Sequence, residues 1–313
     1  DASVGIMSIG AFDVPRGCNA TADDLQKNLS ITECKIVVTE NASQIKKLIE
    51  IKDELPHLET IINIKDDIQP VLDQQLKDKK LNYHSFKNFI LEGKDWRLYN
   101  PGVVEAELEK GDGSEIATII FTSGTTGTPK GVMLTHSNFL IQLDECVYRM
   151  YMNPGQNCLS ILPVWHVFER EMEYIVLVQG GALCYSKPVI SIILADLKKL
   201  NPAIFPTVPR VFDALREAII KNLKKSNKFM NFYLDFFLKV AVIHKRMERK
   251  MFAQNACYTT YKQPLWWCLF LIPWALMWPL YGLGYLFVYR KIRAAFGTNY
   301  MSGMTGGGAF PQQ

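Results

Sequence analysis

The sequence feature that most constrains the fold is an apolar run followed by a loop rich in glycine, threonine and lysine. The run Ile116-Ala-Thr-Ile-Ile-Phe121 has the β-branched and aromatic residues of a buried strand. The loop that follows is Thr122-Ser-Gly-Thr-Thr-Gly-Thr-Pro-Lys-Gly131. Its glycines permit close backbone approach to a ligand, its hydroxyls can donate hydrogen bonds, and Lys130 supplies a positive charge. With a helix predicted after it, from Ser137 to Met150, the loop resembles a phosphate-binding element.

Other readings of this loop fit the residues less well. A Walker loop requires a glycine, four residues and then Gly-Lys-Ser/Thr, whereas here Pro129 precedes Lys130 and Gly131 follows it. The Gly-x-Gly-x-x-Gly dinucleotide pattern is also missing from the loop. A simple turn remains the structural alternative, since glycine, threonine and proline are common in turns.

Strand-like and helix-like patterns alternate over most of the 313 residues. This alternation predicts an α/β fold with doubly wound parallel sheet layers and flanking helices. Thr21 and Asn41 are predicted helix N-caps, and residues 65–80 are predicted to be a polar surface excursion. The other predicted strands are 4–12, 34–39, 59–64, 157–162, 182–185 and 203–205. The other predicted helices are 85–91, 168–178, 192–200 and 211–223.

Composition excludes several functional classes. The net charge of +4 is small and the basic residues are interspersed with acidic ones, so nucleic-acid binding has no support. Seven cysteines are scattered without a Cys-x-x-Cys pair, which argues against a zinc site and a disulfide framework. We therefore predict no metal ligands within this chain.

Several segments together resemble a known enzyme family. Phe121–Gly131 reproduces the Tyr/Phe-Thr-Ser-Gly-Thr-Thr-Gly-x-Pro-Lys-Gly signature of the adenylate-forming superfamily. Leu162-Pro-Val-Trp-His166-Val-Phe-Glu169-Arg170 resembles a segment of its long-chain fatty acyl-CoA synthetase branch, as does Phe205-Pro-Thr-Val-Pro-Arg210. Met301-Ser-Gly-Met-Thr-Gly-Gly-Gly-Ala-Phe-Pro311 is similar to the branch's Ser-Gly-Gly-Ala-Pro region. The resemblance spans nearly the whole chain in the expected order.

The resemblance implies an ATP-dependent activation of a fatty acid through an acyl-adenylate to acyl-CoA, with release of AMP and pyrophosphate. It implies that the phosphates are held by Thr122, Ser123, Gly124, Thr125, Thr126, Gly127 and Lys130. It implies that Gly306, Gly307 and Gly308 lie against adenine and the acyl site. Lys130 and His166 are the candidate catalytic residues; for His166, a structural role is the alternative. Glu169 and Arg170 are expected to form a structural pair.

Both ends of the chain are expected to be cut, leaving residues 1–313 as a partial N-terminal ATP- and acyl-binding domain. The family's Tyr-Gly-x-Thr-Glu segment, ribose-binding Asp, hinge and C-terminal lid with its catalytic lysine do not occur before Gln313. The ligands for Mg²⁺ are therefore expected beyond the C-terminal end. We expect the fragment itself to be inactive, while the intact protein uses ATP, Mg²⁺, a fatty acid and CoA.

An uncharged apolar run, residues 265–289, contains four of the six tryptophans and has basic residues on both sides. Its length suffices to cross a bilayer, but Pro273, Pro279, Gly282 and Gly284 interrupt it. We predict a broken helical hairpin or an interfacial anchor on the cytoplasmic face of a membrane, with burial in the enzyme core as the alternative.

Two functional alternatives to the fatty acid–CoA ligase remain. One is an acyl-AMP ligase, or an aryl- or amino-acid-activating enzyme, of the same superfamily. The other is a non-catalytic membrane-associated scaffold with the same fold. The intact glycine and lysine pattern of the loop disfavours the scaffold.

Overall fold

The computed structural model describes residues 2–122, 129–224, 228–252 and 263–306. The chain divides into two compact units. The first comprises residues 1–146 and 163–171, and the second comprises residues 147–162 and 172–313.

The first unit contains five described strands and a series of short helices. Its strands are β1 (Ile36–Thr39), β2 (Thr60–Asn63), β3 (Asn82–Ser85), β4 (Ile116–Thr122) and β5 (Lys130–Thr135). Its helices are α1 (Ala2–Met7), α2 (Ala22–Ile31), α3 (Ala42–Glu50), α4 (Pro70–Asp78), α5 (Phe86–Tyr99), α6 (Val103–Lys110) and α7 (His136–Arg149). Helix α8 (Val167–Val178) begins in this unit and ends in the second.

The second unit contains two described strands and longer helices. The strands are β6 (Asn157–Ser160) and β7 (Ala182–Tyr185). The helices are α9 (Ile190–Leu200), α10 (Pro209–Lys224), α11 (Lys228–Met251), α12 (Gln263–Gly284) and α13 (Arg290–Phe296). A short π-helix, Tyr285–Tyr289, joins α12 to α13.

A three-stranded parallel sheet in the order β1-β2-β3 organises the start of the first unit. Helices α3 and α4 provide the connections that parallel strands require, from β1 to β2 and from β2 to β3. Their apolar positions form one core with β2, in which Ile45, Leu48, Ile61 and Leu76 are almost completely buried. The predicted α/β class with parallel strands and flanking helices is confirmed.

The two predicted N-caps are also confirmed. The Thr21 hydroxyl accepts from the Asp24 N–H at 3.1 Å, and the Asp24 carboxylate accepts from the Thr21 hydroxyl at 2.9 Å. The Asn41 side chain accepts from the N–H groups of Ser43 and Gln44 at 3.1 and 3.3 Å. Both contacts satisfy N–H groups that a helix start leaves without intrahelical partners.

In the second unit, β6 and β7 pair in parallel, and Ile204 extends this pairing. Ile204 bridges Cys158 on one side and Ser302 on the other. The predicted strand at residues 203–205 is therefore reduced to isolated bridges. Pro202 and Pro206 flank it, and a proline has no N–H to continue a ladder.

Two other predictions made from the sequence are wrong, and one confirmed helix was predicted too short. Residues 4–12 were predicted as a strand, but residues 4–7 belong to helix α1. A short apolar run is compatible with the periodicity of a helix as well as that of a strand. Gly10, at φ +72°, follows the end of α1. Residues 65–80 include α4, which starts at Pro70 and buries Leu72 and Leu76. The helix predicted from residue 85 is longer than expected, because α5 continues to Tyr99.

The apolar run is continuously helical. Helix α12 passes through Pro273 and Pro279, so the break predicted within the run is wrong. Its partner is α11, which packs along it. Leu234 and Phe237 of α11 form a buried cluster with Leu280 of α12 and with Val288 of the π-helix. A neighbouring helix can compensate for the backbone hydrogen bonds that prolines remove.

Candidate functional site

The predicted phosphate-binding loop joins two antiparallel strands. Strand β4 leads into the loop and β5 leads out of it, with Thr122 opposite Lys130 and Phe121 opposite Gly131. The Thr122 hydroxyl donates to the Lys130 carbonyl at 3.5 Å. A helix after the loop was predicted to present its N-terminus, but β5 intervenes and α7 begins only at His136. The strands on either side of the loop are thus an antiparallel pair.

The pairing of β4 with β5 fixes the distance between the two residues that flank the loop, Thr122 and Lys130. Of the predicted phosphate ligands, Thr122 and Lys130 lie on the paired strands and are exposed. Ser123, Gly124, Thr125, Thr126 and Gly127 lie outside the described residues. The Lys130 side chain carries a positive charge at an exposed position beside the loop.

Gly131 is required by the packing of this strand pair. A Cβ on Gly131 would lie 2.9 Å from the Ile119 Cγ2 atom and 3.4 Å from the Phe121 ring. The first distance is shorter than real Cβ contacts allow, so any larger residue would displace Ile119. The glycine after Lys130 thus has a structural reason as well as its place in the loop pattern.

A buried ion pair fixes strand β4 before it reaches the loop. The Arg170 guanidinium contacts both carboxylate oxygens of Asp13, at 2.9 and 2.8 Å, and donates to the Thr118 hydroxyl at 3.0 Å. Asp13 also pairs through its backbone with β4, because its carbonyl accepts from the Ile119 N–H at 2.9 Å. All three side chains of the Asp13–Arg170–Thr118 cluster are buried.

Sequence reasoning missed Asp13. A buried partner of Arg170 is this carboxylate, 157 residues earlier in the chain. The structural role expected for Arg170 is confirmed, and its pairing with Glu169 stays a prediction. A buried arginine requires a carboxylate partner. This requirement is the one signal in the sequence that could have prompted a search for an acidic partner such as Asp13.

His166 lies at the start of helix α8. Its ring is exposed, and its Nδ1 atom accepts from the Phe168 N–H at 3.5 Å, at the limit of hydrogen-bond distance. Its carbonyl accepts from the Arg170 N–H at 3.1 Å, which is an ordinary first-turn contact. Within the described residues, no hydrogen bond or ion pair connects His166 with Lys130. The catalytic role of His166 stays a prediction, with the structural role as its alternative.

The glycine segment near the C-terminus starts beside the strand-like residues of the second unit. Thr207 bridges Thr305, and the Thr207 N–H donates to the Met304 carbonyl at 2.9 Å. The hydroxyls of Thr207 and Thr305 are buried and have no hydrogen-bond partner among the described residues. Gly306 follows immediately, while Gly307 and Gly308 lie outside the described residues. Two unsatisfied hydroxyls beside a glycine segment are suited to a polar ligand.

The Glu171 carboxyl group is partly buried on helix α8. Burial in helix α8 raises its pKa to about 7. No group of three or more His, Cys, Asp or Glu residues suited to a metal ion is found in the described part of the chain.

Comparison with known proteins gives a consistent result. The chain is 28% identical, over 98% of its length, to long-chain-fatty-acid–[acyl-carrier-protein] ligase AEE15 of Arabidopsis thaliana, of which it covers 42%. It is 29% identical, over 69% of its length, to long-chain-fatty-acid–CoA ligase ACSBG2 of Xenopus laevis, of which it covers 29%. The chain thus spans less than half the length of these relatives.

Solved structures show the same fold. The N-terminal domain of FACL13 from Mycobacterium tuberculosis matches with a TM-score of 0.51 and 20% identity, covering 68% of this chain and 48% of that domain. The anthranilate CoA ligase AuaEII matches with a TM-score of 0.53 and 18% identity, covering 70% of this chain and 39% of that protein. The sequence model of the AMP-binding enzyme family matches residues 2–266. Because this match covers most of the chain, the chain belongs to the AMP-binding enzyme family.

Proposed function

We propose that the intact protein activates a long-chain fatty acid with ATP and transfers the acyl group to CoA. In the first step a fatty-acid carboxylate oxygen attacks the α-phosphorus of ATP, and the bond to the bridging oxygen of pyrophosphate breaks. In the second step the CoA thiolate attacks the acyl carbonyl of the adenylate, and AMP leaves. The observation that carries this proposal is the strand pair that places the exposed Lys130 opposite Thr122 across the loop.

The residues of this chain supply charge and position in the first step. Carboxylate and triphosphate repel each other, so catalysis requires cationic stabilisation of the phosphate oxygens and of the departing pyrophosphate. Lys130 supplies that charge, and Thr122 and the loop hydroxyls supply donors. The Asp13–Arg170–Thr118 cluster supports the loop indirectly by fixing β4. ATP and CoA are co-substrates, and no step is assigned to Mg²⁺ through the residues of this chain.

A second acceptor is favoured by one observation. The relative described as an acyl-carrier-protein ligase matches 98% of this chain, whereas the CoA ligase from Xenopus laevis matches 69%. In the second candidate function, the thiol that attacks the adenylate is therefore the phosphopantetheine thiol of an acyl carrier protein. Of the remaining alternatives, an acyl-AMP ligase would form the acyl-adenylate and no thioester, and a non-catalytic scaffold would form no acyl-adenylate.

The proposal places the protein on the cytoplasmic face of a membrane, attached peripherally or monotopically through residues 265–289. Long-chain fatty acids partition into membranes, so attachment would bring the enzyme to its substrate. Support comes from the helix over residues 267–296, which is long and apolar enough to cross a membrane by length and composition, with little of its surface buried.

Product analysis on the intact protein distinguishes these functions. We expect ATP-dependent formation of AMP and of a fatty acyl thioester, with CoA or acyl carrier protein as the only acceptor supplied in each reaction. Lys130→Ala is expected to lower the rate of adenylate formation on the order of 100-fold, since it removes a preorganised cation from the leaving group. The exposed Lys94→Ala on α5 is the matched control. Equal rates for the two variants would contradict the role of Lys130.

A further inference from the structure

Helices α11 and α12 form an antiparallel pair along most of their length. The Tyr289 hydroxyl donates to the Phe237 carbonyl at 2.6 Å at one end of the pair. The His244 ring stacks on Tyr281 in the middle, with centroids 4.2 Å apart. The Phe252 and Trp267 rings meet at the other end, 5.3 Å apart. These contacts place residues 237–252 alongside residues 267–289, with the two segments running in opposite directions.

The side of α12 that faces away from α11 is extensively apolar. This side exposes Leu269, Ile272, Leu276 and Leu283, which follow one another at helical spacing, and Leu286 and Phe287 are exposed just beyond the end of α12. Ile272 is 67% exposed and Leu276 is 75% exposed. A continuous apolar surface of this kind is unfavourable in water and marks a contact with a membrane or another protein.

The α11 helix has two opposite faces of different character. Leu234, Phe237 and His244 are buried against the neighbouring helices. Asp235, Lys239 and Arg246 are exposed and share the opposite face, because they follow one another at intervals of four and seven residues. The exposed part of α11 also includes the apolar Phe236, Val242 and Ile243. The charged side chains of the pair therefore all lie on α11, whereas α12 has none.

This arrangement argues against a transmembrane orientation of α12. The part of α11 that lies alongside it contains six charged residues: Lys239, Lys245, Arg246, Glu248, Arg249 and Lys250. If α12 crossed the bilayer, its partner would carry most of these charges into the hydrocarbon, where charged side chains are strongly disfavoured. With both helices parallel to the surface, α12 enters the leaflet and the charges of α11 stay at the headgroups.

Basic residues at both ends of the helix pair indicate that the membrane surface it binds is anionic. Arg249 and Lys250 end α11, and Arg290, Lys291 and Arg293 follow α12. Basic residues at the membrane boundary are attracted to anionic headgroups. The two basic clusters lie at opposite ends of the antiparallel pair, so an anionic surface can contact both only when the pair lies flat.

We propose that the α11–α12 pair lies in the plane of one leaflet of an anionic bilayer, with α12 inserted below the headgroups and α11 covering it. This inference deepens the membrane attachment in the proposed function and rests on it. It differs from simple anchoring by residues 265–289, because α11 is part of the membrane-binding unit and α12 does not cross the bilayer.

Vesicle flotation with the intact protein tests the surface. We expect binding to phosphatidylcholine vesicles that contain phosphatidylserine, and weaker binding to phosphatidylcholine alone. Ile272→Glu and Leu276→Glu are each expected to lower the bound fraction at least about tenfold, since they insert a charge into the apolar face. Val71→Glu, on an equally exposed valine of α4 (72%), is the control and should bind normally. Equal binding by Ile272→Glu and the control would overturn the proposal.

A depth measurement tests the orientation. Quenching of Trp267 and Trp278 by lipids brominated at shallow and deep positions should give similar depths for both rings, measured as the signal lost in Trp267→Phe and in Trp278→Phe. In a spanning helix the two rings would differ in depth by roughly 16 Å, since they are eleven residues apart. Such a difference would overturn the in-plane orientation.

Two further outcomes separate this proposal from others. If Ile272→Glu dissociates an oligomer and leaves vesicle binding unchanged, the apolar face binds a second copy of the chain and the proposal is wrong. The ligase activity is measured on detergent-dispersed fatty acid, so it does not depend on vesicles. If Ile272→Glu loses vesicle binding and keeps ligase activity, the membrane proposal is supported independently of the catalytic one. If the protein binds vesicles but activates no fatty acid, the proposed function is contradicted and the membrane proposal is not.

Discussion

Removal of Arg170 should destabilise strand β4 strongly. Arg170→Met leaves the Asp13 carboxylate buried without the guanidinium that contacts both of its oxygens, and it removes a donor to Thr118. Loss of one partner from a buried ion pair costs about 3–5 kcal/mol, because the remaining charge stays desolvated. A surface pair costs no more than about 1 kcal/mol.

The chain contains a matched surface arginine for comparison. Arg97 pairs with Glu105, and both side chains are more than half exposed. Arg97→Met should therefore have little effect on stability. The double variant Asp13→Leu with Arg170→Met removes both buried charges and should be more stable than Arg170→Met alone, since no uncompensated carboxylate remains.

Hydrogen exchange of the amides of residues 117–119 is the suitable assay, because it reports the opening of β4 itself. Arg170→Met should increase their exchange rates between about 100-fold and several thousand-fold, which corresponds to the expected free energy at 1.4 kcal/mol per factor of ten. Equal exchange in Arg170→Met and Arg97→Met would refute the reasoning. So would a double variant less stable than the single one.

Two further predictions concern the β4–β5 strand pair and helix α8. Gly131→Ala should destabilise this strand pair by about 1–3 kcal/mol, because the new Cβ would lie 2.9 Å from Ile119 Cγ2; faster amide exchange in β5 would show it, and unchanged exchange would refute it. Glu171→Gln should stabilise the chain above pH 7 by about 2 kcal/mol after allowance for solvent screening, and should have no effect below about pH 4.5. The sign follows because burial raises the pKa of Glu171 from 4.5 to about 7, so the folded state loses stability as pH rises between these values. Urea unfolding of both proteins at pH 4 and pH 8 measures it, and an equal difference at the two pH values would contradict the burial argument.

The parts of the fold that depend on local pattern were predictable from the sequence. The caps at Thr21 and Asn41, strand β4 and strand β7 follow from residue types within a few positions. The secondary structure of short apolar segments was harder to predict. The helix at residues 2–7 was predicted as a strand, because a short apolar run is compatible with both periods.

Long-range partners limited the prediction of the candidate site. The loop and Lys130 were identified from spacing, but the strand that follows the loop was not, since β5 is defined by its pairing with β4. Asp13 was missed because nothing near it in sequence indicates Arg170 as its partner. The continuity of α12 through two prolines depends on packing against α11, which no local pattern reports.

The most direct test of the central claim is ATP–pyrophosphate exchange by the intact protein with fatty acids of increasing chain length. Exchange reports adenylate formation alone, so the identity of the thiol acceptor does not affect it. We predict exchange that depends on the added acid, increases toward long chains and is lost in Lys130→Ala but retained in Lys94→Ala. Absence of exchange with every fatty acid would contradict the account, and exchange with aromatic or amino acids only would assign the protein to another branch of the family.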